Sequence, residues 1–545
     1  MQTNNSWCTY IGWAILCLTA SFIVFFPALY VGFLSDDFHM RALSATQDLS
    51  ILQYFTTNLE GANIGSSYGP IFRLWWRGMY MLFGENPFAY HVFLLVLHAT
   101  AAYLVGLFSY FLTKKKPLAM VVSVLFLVLQ SRAEPVVWVA SFPHVFVTVC
   151  VLGASIAWLI YLQSKKKVGW YLASLFIWAV ALFTKEIAVV VPAIWLLLTL
   201  VQTKSWRKKL LQSISLLTLP AVIVFLYLWL RAGATGLLTG YYANTAGVSL
   251  STMIQSVFDV LVGMWLPVDV RRTLVQWFMT HPVAVLLMIG ALILYLKQTK
   301  QKNAALLFGM ALITLIPFTQ VSLHPFTQEG ERYTYLVSAF MVPFIVFLFA
   351  HLFKKRAVFI FAIACIITVQ LYWLVPKQLV WIEASKKTTQ IITSAHSLSL
   401  LPTDHIVLIG FPDNYFGAQM LRNAAGVALG LSVQERIPQY IEYRANALIF
   451  SEIREEGGRI ILDTRHQSIQ ENLPTSNITG FPVWQGDYTS SSITNFYALG
   501  NRGKNIEISL KKAEIEHDIL SDGKDFVLLF VDNLKLKELF RLSSH

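Results

Sequence analysis

The sequence has few charged residues for its length. Only 13% of its 545 residues are Asp, Glu, Lys or Arg, whereas 56% are hydrophobic, and the mean hydropathy is +0.57. An ordinary soluble domain carries about 25% charged residues. This shortage excludes a conventional soluble protein and predicts an integral membrane protein. The net charge of +12 does not indicate a nucleic-acid partner, because many Lys and Arg residues lie in short clusters between apolar runs.

Cysteine is also scarce, and the amino terminus lacks positive charge. The four cysteines, Cys8, Cys17, Cys150 and Cys365, have no metal-ligand spacing, so they indicate neither a metal site nor a redox compartment. The opening residues, MQTNNSWCTY, lack the basic start of a secretory signal, and the apolar run after them is too long for one. We therefore expect residues 11–34 to form a retained first membrane helix.

Long apolar runs are abundant. A spanning helix needs about 20 apolar residues. Runs near this length predict eleven spans, at 11–34, 88–112, 117–131, 136–162, 168–184, 187–203, 211–231, 283–297, 303–320, 336–353 and 357–376. With these spans, all five basic clusters of the chain fall on one side, and the positive-inside rule makes that side the cytoplasm. The clusters lie at 114–116, 165–167, 204–209, 297–302 and 354–356. Residues from 377 to the end are predicted to be extracytoplasmic.

Ionisable residues at helix ends collect on the opposite face. They are Asp36, Asp37, His39, Arg132, Glu134, Lys185, Glu186, Arg231, His324, Glu329, Glu331 and Arg332. A charge at the membrane centre costs on the order of 2.5–3.5 kcal/mol, so such residues often mark a functional site. Each could instead be a helix-end charge that reaches water. The stretch FTKEIAV favours a site, because it places Lys185 and Glu186 between apolar runs without loop residues.

Two long segments on that face are expected to be amphipathic or mobile. Residues 35–87 predict interfacial helices, with Arg73, Trp75, Trp76 and Arg77 at headgroup level. Residues 232–282 contain GATGLLTGYYANTAG, which predicts a mobile loop. Both segments either roof a cavity that opens to lipid or only connect spans.

The composition changes after about residue 385. Short β-rich runs at 404–413, 458–465, 505–512 and 525–533 predict strands, and residues 416–431 predict a helix. The sequence therefore predicts two domains, a polytopic membrane domain over 1–376 and an extracytoplasmic α/β domain over 377–545.

Five motifs, in order, resemble one enzyme family. They are SDDF at 35–38, YGPIFRLWWRGMYMLFGENPFAYHVFLLVLH at 68–98, AEPVVWVAS at 133–141, FTKEIAVVVPA at 183–193 and GERYTYLVS at 330–338. Together they are similar to the GT-C glycosyltransferases that use polyprenyl-phosphate sugars, above all the protein O-mannosyltransferase-like members. The likeness covers roughly residues 10–375. The chain departs from the family at Gln130 and Ser131, where His-Pro is common, and at SFPHVF, where Gly-Arg-x-Asp is common. It also lacks the tetratricopeptide repeats of some similar transmembrane enzymes.

This resemblance implies an α-helical GT-C fold and an inverting glycosyl transfer. Asp36 or Asp37 would be the base that takes the acceptor proton, and Lys185, Arg231 and Arg332 would hold the leaving phosphate. Supporting contacts to the substrates would come from His39, Tyr68, His91, Glu134, Glu186, Glu331 and Tyr333. No cofactor is certain. The alternative is a divalent cation, Mg²⁺ or Mn²⁺, on Asp36, Asp37 and Glu134.

The expected partners are a polyprenyl-phosphate-linked sugar, membrane lipid and an acceptor hydroxyl on a glycan, lipid or protein. A bacterial plasma membrane is the expected location. Three other functions stay open: a transporter or flippase of lipid-linked sugars, a GT-C-like glycan ligase or polymerase, and a scaffold without catalytic activity. The sequence does not identify the sugar or the acceptor.

Overall fold

A computed structural model shows two compact units. It describes residues 4–58, 68–164, 167–202, 206–238, 249–319, 321, 323–324, 327–395, 397–398, 405–412, 414–421, 424–429, 433–439, 448–456, 459–466, 497–502, 505–511, 526–532 and 535–542. The first unit contains Met1–Val31 and Leu43–Leu379, and the second contains Gly32–Ala42 and Val380–His545. The segment with Asp36 and Asp37 therefore belongs to the second unit.

Helices dominate the chain as far as residue 395. They are α1 (Asn4–Val24), α2 (Asp36–Thr46), α3 (Ile51–Thr56), α4 (Pro70–Phe83), α5 (Pro87–Thr113), α6 (Lys116–Leu127), α7 (Ala133–Val137), α8 (Phe142–Gln163), α9 (Val168–Thr184), α10 (Val191–Gln202), α11 (Trp206–Thr235), α12 (Leu250–Gly263), α13 (Val268–Thr280), α14 (Pro282–Gln298), α15 (Lys302–Leu315), α16 (Thr334–Leu352) and α17 (Arg356–Ala395). Short 3₁₀ turns lie at Phe26–Tyr30, Gln130–Arg132, Val139–Ser141, Glu186–Val190, Ile316–Phe318 and Glu331–Tyr333.

Local sequence explains many helix ends. Proline occupies the first or second position of α4, α5, α6, α8 and α14, where its missing N–H is not needed. The Asn86 side chain accepts a hydrogen bond from the Phe88 N–H at 3.1 Å and caps α5. Lys114 takes a left-handed conformation, with φ of 58°, which ends α5 and allows α6 to turn back.

Several helices are able to cross a membrane. Within the described residues, five helices are long and apolar enough, and seven qualify if each of two bent helix pairs counts as one span. Shorter apolar helices lie at Thr9–Val24, Val168–Thr184, Glu186–Val201, Leu250–Gly263 and Lys302–Phe318. Leu286 of α14 and Phe361 of α17 are about seven-tenths exposed. Such apolar surfaces indicate helices that face lipid.

Three predicted spans differ from the structure. The first helix ends at Val24 rather than 34, because Pro27 opens a separate 3₁₀ turn. The span at 117–131 is a broken pair, in which α6 and the segment Gln130–Val137 meet at 59°. The last helix does not stop at residue 376, because α17 continues past Pro376 to Ala395.

Both long segments contain helices. Helices were expected in residues 35–87, and α2, α3 and α4 are present there. Arg73 and Trp76 of α4 are buried within the protein. Trp75 stacks on Phe142, with ring centroids 3.9 Å apart. Within 232–282 the chain forms α12 and α13, so the prediction of a mobile loop was wrong for those residues, and residues 239–248 lie outside the described part.

The core of the first unit includes a close contact of α1, α5 and α6. The Trp13 indole N–H of α1 donates to Ser123 Oγ of α6 at 3.1 Å. Gly106 of α5 lies between them, since a Cβ there would be 2.7 Å from the Ala119 carbonyl oxygen and closer still to the Trp13 and Ser123 side chains. Only glycine fits at this crossing.

The second unit contains two four-stranded sheets. Its strands are β1 (His405–Pro412), β2 (Asn414–Tyr415), β3 (Ala418–Gln419), β4 (Val433–Gln439), β5 (Leu448–Glu456), β6 (Arg459–His466), β7 (Tyr497–Arg502), β8 (Asn505–Lys511), β9 (Phe526–Asp532) and β10 (Lys535–Leu542). One sheet has the order β10-β9-β1-β4, in which β1 is parallel to β4 and β9, and Leu408 pairs with Leu529. The other, β5-β6-β8-β7, is antiparallel.

All four predicted strands are present, but the predicted helix at 416–431 is not. Phe416 and Gly417 have φ of 48° and 90° and form the two-residue turn of the β2–β3 hairpin. The Gly417 N–H donates to Asn414 Oδ1 at 3.1 Å, which stabilises the turn. Among the described residues of this stretch, a short helix, α18, occupies Ala425–Leu429.

Candidate functional site

The two predicted carboxylates lie in the first turn of α2 and have different surroundings. Asp37 is buried, and its Oδ2 accepts a hydrogen bond from the Leu34 N–H at 3.0 Å. Asp36 is only partly buried, and among the described residues its carboxylate has no hydrogen-bond or ion-pair partner. Both acids suit the positive end of the helix dipole. Asp37 therefore stabilises the local fold, and the Asp36 carboxylate is the less engaged of the two.

Contacts within the second unit fix the start of α2. The Ser35 N–H donates to the Met420 carbonyl at 2.6 Å, and the Gly32 N–H donates to Ser385 Oγ at 2.7 Å. Ser35 itself has φ of 48°, a conformation that non-glycine residues seldom adopt. His39 is a partly buried residue of the same helix.

In the first unit, Glu134 and Arg332 form an ion pair across two helix breaks. Glu134 is fully buried, and its carboxylate contacts the Arg332 guanidinium. The same carboxylate accepts the Arg332 N–H at 2.8 Å and the Gly330 N–H at 3.3 Å. Gly330 has φ of 92°, so this turn needs glycine. Arg332 also donates to the hydroxyl of Tyr333 at 2.9 Å, which joins that residue to the pair.

A second buried ion pair joins Glu331 to Lys377. The Lys377 ammonium contacts the Glu331 carboxylate and the side-chain oxygen of Gln130. The Gln130 amide donates to the carbonyls of Gly263 at 2.6 Å and Leu266 at 3.1 Å, in the turn between α12 and α13. Sequence reasoning assigned no role to Gln130 or Lys377. A cation placed directly after a long apolar run was the available signal for Lys377.

A third ion pair, Asp259 with Arg271, joins α12 to α13. Asp259 Oδ1 lies 3.6 Å from Arg271 Nε, and Arg271 also donates to the His324 carbonyl. Burial raises the pKa of Asp259 to about 6, although the positive charge of Arg271 opposes this shift. Sequence reasoning missed this pair, because its members lay in a segment expected to be a loop.

Lys185 differs from the cations above. It follows the last turn of α9 and is partly buried, and its ammonium has no hydrogen-bond or ion-pair partner among the described residues. Lys185 and Arg332 both act electrostatically on His144, a buried residue in the first turn of α8. The ring of Tyr333 lies edge-on to His144, with centroids 5.6 Å apart. His144 therefore contacts Tyr333, which contacts Arg332, and Lys185 lies within electrostatic range of His144.

Tyr68, Arg231 and Glu186 border a neighbouring aromatic group. Arg231 donates to the Tyr227 hydroxyl at 3.1 Å, and the Tyr227 ring lies 5.5 Å from that of Tyr68. Glu186 acts electrostatically on Tyr227. Burial raises the pKa of Tyr68 to about 12 against the opposing charge of Arg231. Tyr68 is therefore a neutral donor at physiological pH.

The remaining candidate, His91, has a packing role. It is buried, and its Nε2 lies 2.9 Å from the Val31 carbonyl oxygen, to which it donates. His98, seven residues further along the same face of α5, contacts the Tyr335 hydroxyl at 2.6 Å and the Leu127 carbonyl at 3.2 Å. These hydrogen bonds account for the burial of the two histidines, and neither residue needs a ligand for it.

The alternative metal set gains no support from these contacts. Across the described ranges, no group of three or more His, Cys, Asp or Glu residues is arranged to hold a metal ion. Glu134 already accepts hydrogen bonds from Arg332 and Gly330. No protein-family model matches the chain, and no curated protein matches it.

Proposed function

We propose that the protein is an inverting glycosyltransferase. It moves a sugar from a polyprenyl-phosphate donor to an acceptor hydroxyl at the extracytoplasmic face of a bacterial plasma membrane. Support comes from helices able to span a membrane, from ionisable residues at helix breaks, and from the motif resemblance given above. The acceptor is a glycan, a lipid or a protein side chain.

The observation that carries the proposal is made on each unit by itself: Asp36 in the second unit and Lys185 in the first are partly buried charges without a hydrogen-bond or ion-pair partner among the described residues. The fully buried acids Glu134, Asp259 and Glu331 each have a partner, as buried charges in a folded protein normally do. A cation for the leaving phosphate and a carboxylate for the acceptor proton are the two groups that this reaction needs.

In the proposed reaction, the Asp36 carboxylate accepts the proton of the acceptor hydroxyl. The oxygen attacks the anomeric carbon and forms the new glycosidic bond, while the bond from that carbon to the phosphate oxygen breaks. The bonding electrons leave with the polyprenyl phosphate, whose charge Lys185 stabilises. Attack opposite to the leaving group inverts the anomeric configuration.

The other predicted residues have supporting roles in this proposal. Arg332 is held by Glu134 and orients the Gly330–Tyr333 turn, so it contributes positive charge with a fixed geometry. Arg231 is buried beside Tyr227 and acts on Tyr68. Asp37 holds the backbone at Leu34 and keeps Asp36 in the first turn of α2.

The test is sugar transfer by the purified protein in liposomes. Polyprenyl-phosphate donors with different labelled sugars are supplied, and new glycosidic products are identified by mass spectrometry. Asp36→Asn is expected to lower transfer about 100-fold or more, as for loss of a general base. The matched control is Asp48→Asn, which changes a fully exposed acid near Arg77. Unchanged transfer in Asp36→Asn would contradict its role as the base, and unchanged transfer in both Asp36→Asn and Asp37→Asn would contradict the glycosyltransferase proposal.

One observation favours a transporter of lipid-linked sugars as a second candidate. The pairs α6 with Gln130–Val137 and α13 with α14 bend by 59° and 96°, and Glu134 lies in the first pair. Broken helices with charged residues at the break are typical of substrate sites in transporters. A transporter would move the lipid-linked sugar to the opposite leaflet without forming a glycosidic bond, which the same liposome assay distinguishes.

A further inference from the structure

The beginning of α8 contains a buried histidine without hydrogen bonds. His144 is 3% exposed, and its Nδ1 is buried without a partner. Neither of its ring nitrogens has a hydrogen bond within the described residues. The Thr148 hydroxyl donates to the His144 backbone carbonyl only, at 2.8 Å. A buried imidazole normally forms at least one hydrogen bond, so this ring lacks a partner.

Comparison with the other buried histidines makes the difference clear. His98 uses both ring nitrogens, and His91 uses one. Both are deeply buried like His144. Burial alone therefore does not explain why the His144 ring has no hydrogen bond among the described residues, unlike the rings of His91 and His98.

The surroundings of His144 favour an anion. The charged groups that act on it are the cations Lys185 and Arg332; the charge of Arg332 is compensated by Glu134, so Lys185 supplies the net positive charge. Ser141, three residues before it, has a buried hydroxyl that also lacks a partner among the described residues. The first turn of a helix adds the positive end of its dipole. Donors and positive charge therefore converge, and no carboxylate forms a hydrogen bond with the ring in the described ranges.

We propose that His144 and Lys185 together bind the phosphate group of a phosphate monoester or diester. The neutral ring donates its N–H to a phosphate oxygen, and the Lys185 ammonium supplies the charge. This inference rests on the proposed function, in which the phosphate belongs to the polyprenyl donor, and it adds a residue that sequence reasoning did not assign. The same chemistry would accept free phosphate, so the test includes both sources.

The experiment measures binding to the full-length protein in detergent by calorimetry. The probes are a long-chain polyprenyl monophosphate, the corresponding polyprenol and inorganic phosphate. The variants are His144→Phe, which keeps an aromatic ring but no donor, His144→Gln, which keeps an N–H, and Lys185→Gln. The control is His281→Phe, which replaces an exposed histidine that stacks on Trp277.

We expect the polyprenyl monophosphate to bind more tightly than the polyprenol. A hydrogen bond to a charged group predicts that His144→Phe weakens this binding about tenfold or more. The affinity for the polyprenyl monophosphate should fall less in His144→Gln and should not change in His281→Phe. Binding of inorganic phosphate with the same dependence on His144 would identify free phosphate as a ligand of the site. Equal binding of the phosphate and the alcohol, or no effect of His144→Phe, would overturn the inference.

A second measurement needs no variant and covers the case in which His144→Phe does not fold. Carbethoxylation of His144 in the wild-type protein, followed by mass spectrometry, should be slowed by the polyprenyl monophosphate and not by the polyprenol. Equal rates with both probes would overturn the inference.

Failure of the inference can be told apart from failure of the proposed function. If phosphate binding depends on His144 but no sugar is transferred, the binding site stands and the glycosyltransferase proposal fails. If Asp36→Asn abolishes transfer but His144→Phe leaves the KM for the donor unchanged, the proposed function stands and the role of His144 is wrong.

Discussion

Two groups of charged or titratable residues in the first unit are arranged in opposite ways. The paired cluster contains Glu134 with Arg332, Glu331 with Lys377, and Asp259 with Arg271. The open cluster contains Lys185 and His144, whose side chains form no hydrogen bond or ion pair within the described residues. Both clusters include residues at breaks or ends of apolar helices, such as Glu134 and Lys185. A charge at such a place is therefore not by itself a sign of catalysis.

The difference separates residues whose charges are compensated within the fold from residues that the proposals above assign to phosphate binding. Glu134 and Arg332 join segments 198 residues apart in the sequence, and Asp259 and Arg271 join the consecutive helices α12 and α13. Removing one partner of a buried pair leaves an uncompensated charge, which is strongly destabilising. Lys185 and His144 of the open cluster have no partner among the described residues that substitution would leave uncompensated. Substituting them should therefore change phosphate binding more than the free energy of unfolding. Four predictions test this division, in order of decreasing effect on stability.

Glu134→Leu is expected to have the largest effect. It leaves the Arg332 guanidinium and two backbone N–H groups without their acceptor, which should cost about 3–5 kcal/mol of unfolding free energy. Thermal unfolding in detergent measures the loss. The control is Glu383→Leu, which removes a half-exposed pair with Lys387 at 3.3 Å and should cost less than about 1 kcal/mol. Equal losses of unfolding free energy in the two variants would show that the Glu134–Arg332 pair does not stabilise the fold more than an exposed pair does.

The double variant Glu331→Leu with Lys377→Leu should be more stable than the sum of the single variants predicts. Each single change leaves a buried charge, whereas the double change removes both. The interaction energy from the double-mutant cycle should be about 1–3 kcal/mol. Additive losses, measured by the same thermal assay, would show that the two groups are not paired in the membrane.

The Asp259–Arg271 pair should make stability depend on pH. Folding raises the pKa of Asp259 from 3.8 to about 6, so the folded protein binds the proton more tightly than the unfolded chain. The stability gained from the neutral acid is complete below the unfolded pKa and is lost as pH rises through about 6. Wild type should lose about 1–3 kcal/mol relative to Asp259→Asn between about pH 4 and pH 7. Parallel pH profiles of the two proteins would contradict this.

Lys185→Met should change stability least. The side chain is partly buried without a partner among the described residues, so its unfolding free energy should shift by less than about 1 kcal/mol. Sugar transfer should nevertheless fall, because the leaving phosphate loses its cation. A large loss of unfolding free energy with unchanged sugar transfer would show that Lys185 stabilises the fold, like the residues of the paired cluster, and does not bind the phosphate.

Much of the helical fold could be predicted from the sequence, because apolar runs are local signals. The helix at 88–112 and the strand at 404–413 were placed within a few residues of their ends in the structure. The helix expected at 416–431 was wrong, since Phe416 and Gly417 adopt a hairpin turn in spite of the Ala- and Leu-rich sequence that follows. Local propensity favoured a helix, and strand pairing overrode it.

The candidate site could be predicted only in part. The sequence indicated Lys185 and Asp36 from their position at the ends of apolar runs. It did not indicate which charges were paired, because the partners of Gln130, such as Gly263 and Lys377, are more than a hundred residues away. The sequence signal for His144 was its position in SFPHVF, the stretch that departs from the similar family. Its lack of a partner is a property of packing and has no sequence signal.

The turn between α12 and α13 has a consequence for biogenesis. Gln130 binds the carbonyls of Gly263 and Leu266, and Gln370 binds that of Trp265 at 2.9 Å. Gln370 lies in α17 and is synthesised long after the turn. Until the ribosome has passed that residue, the Trp265 carbonyl lacks its amide donor. Assembly of this region is therefore completed only after translation of α17.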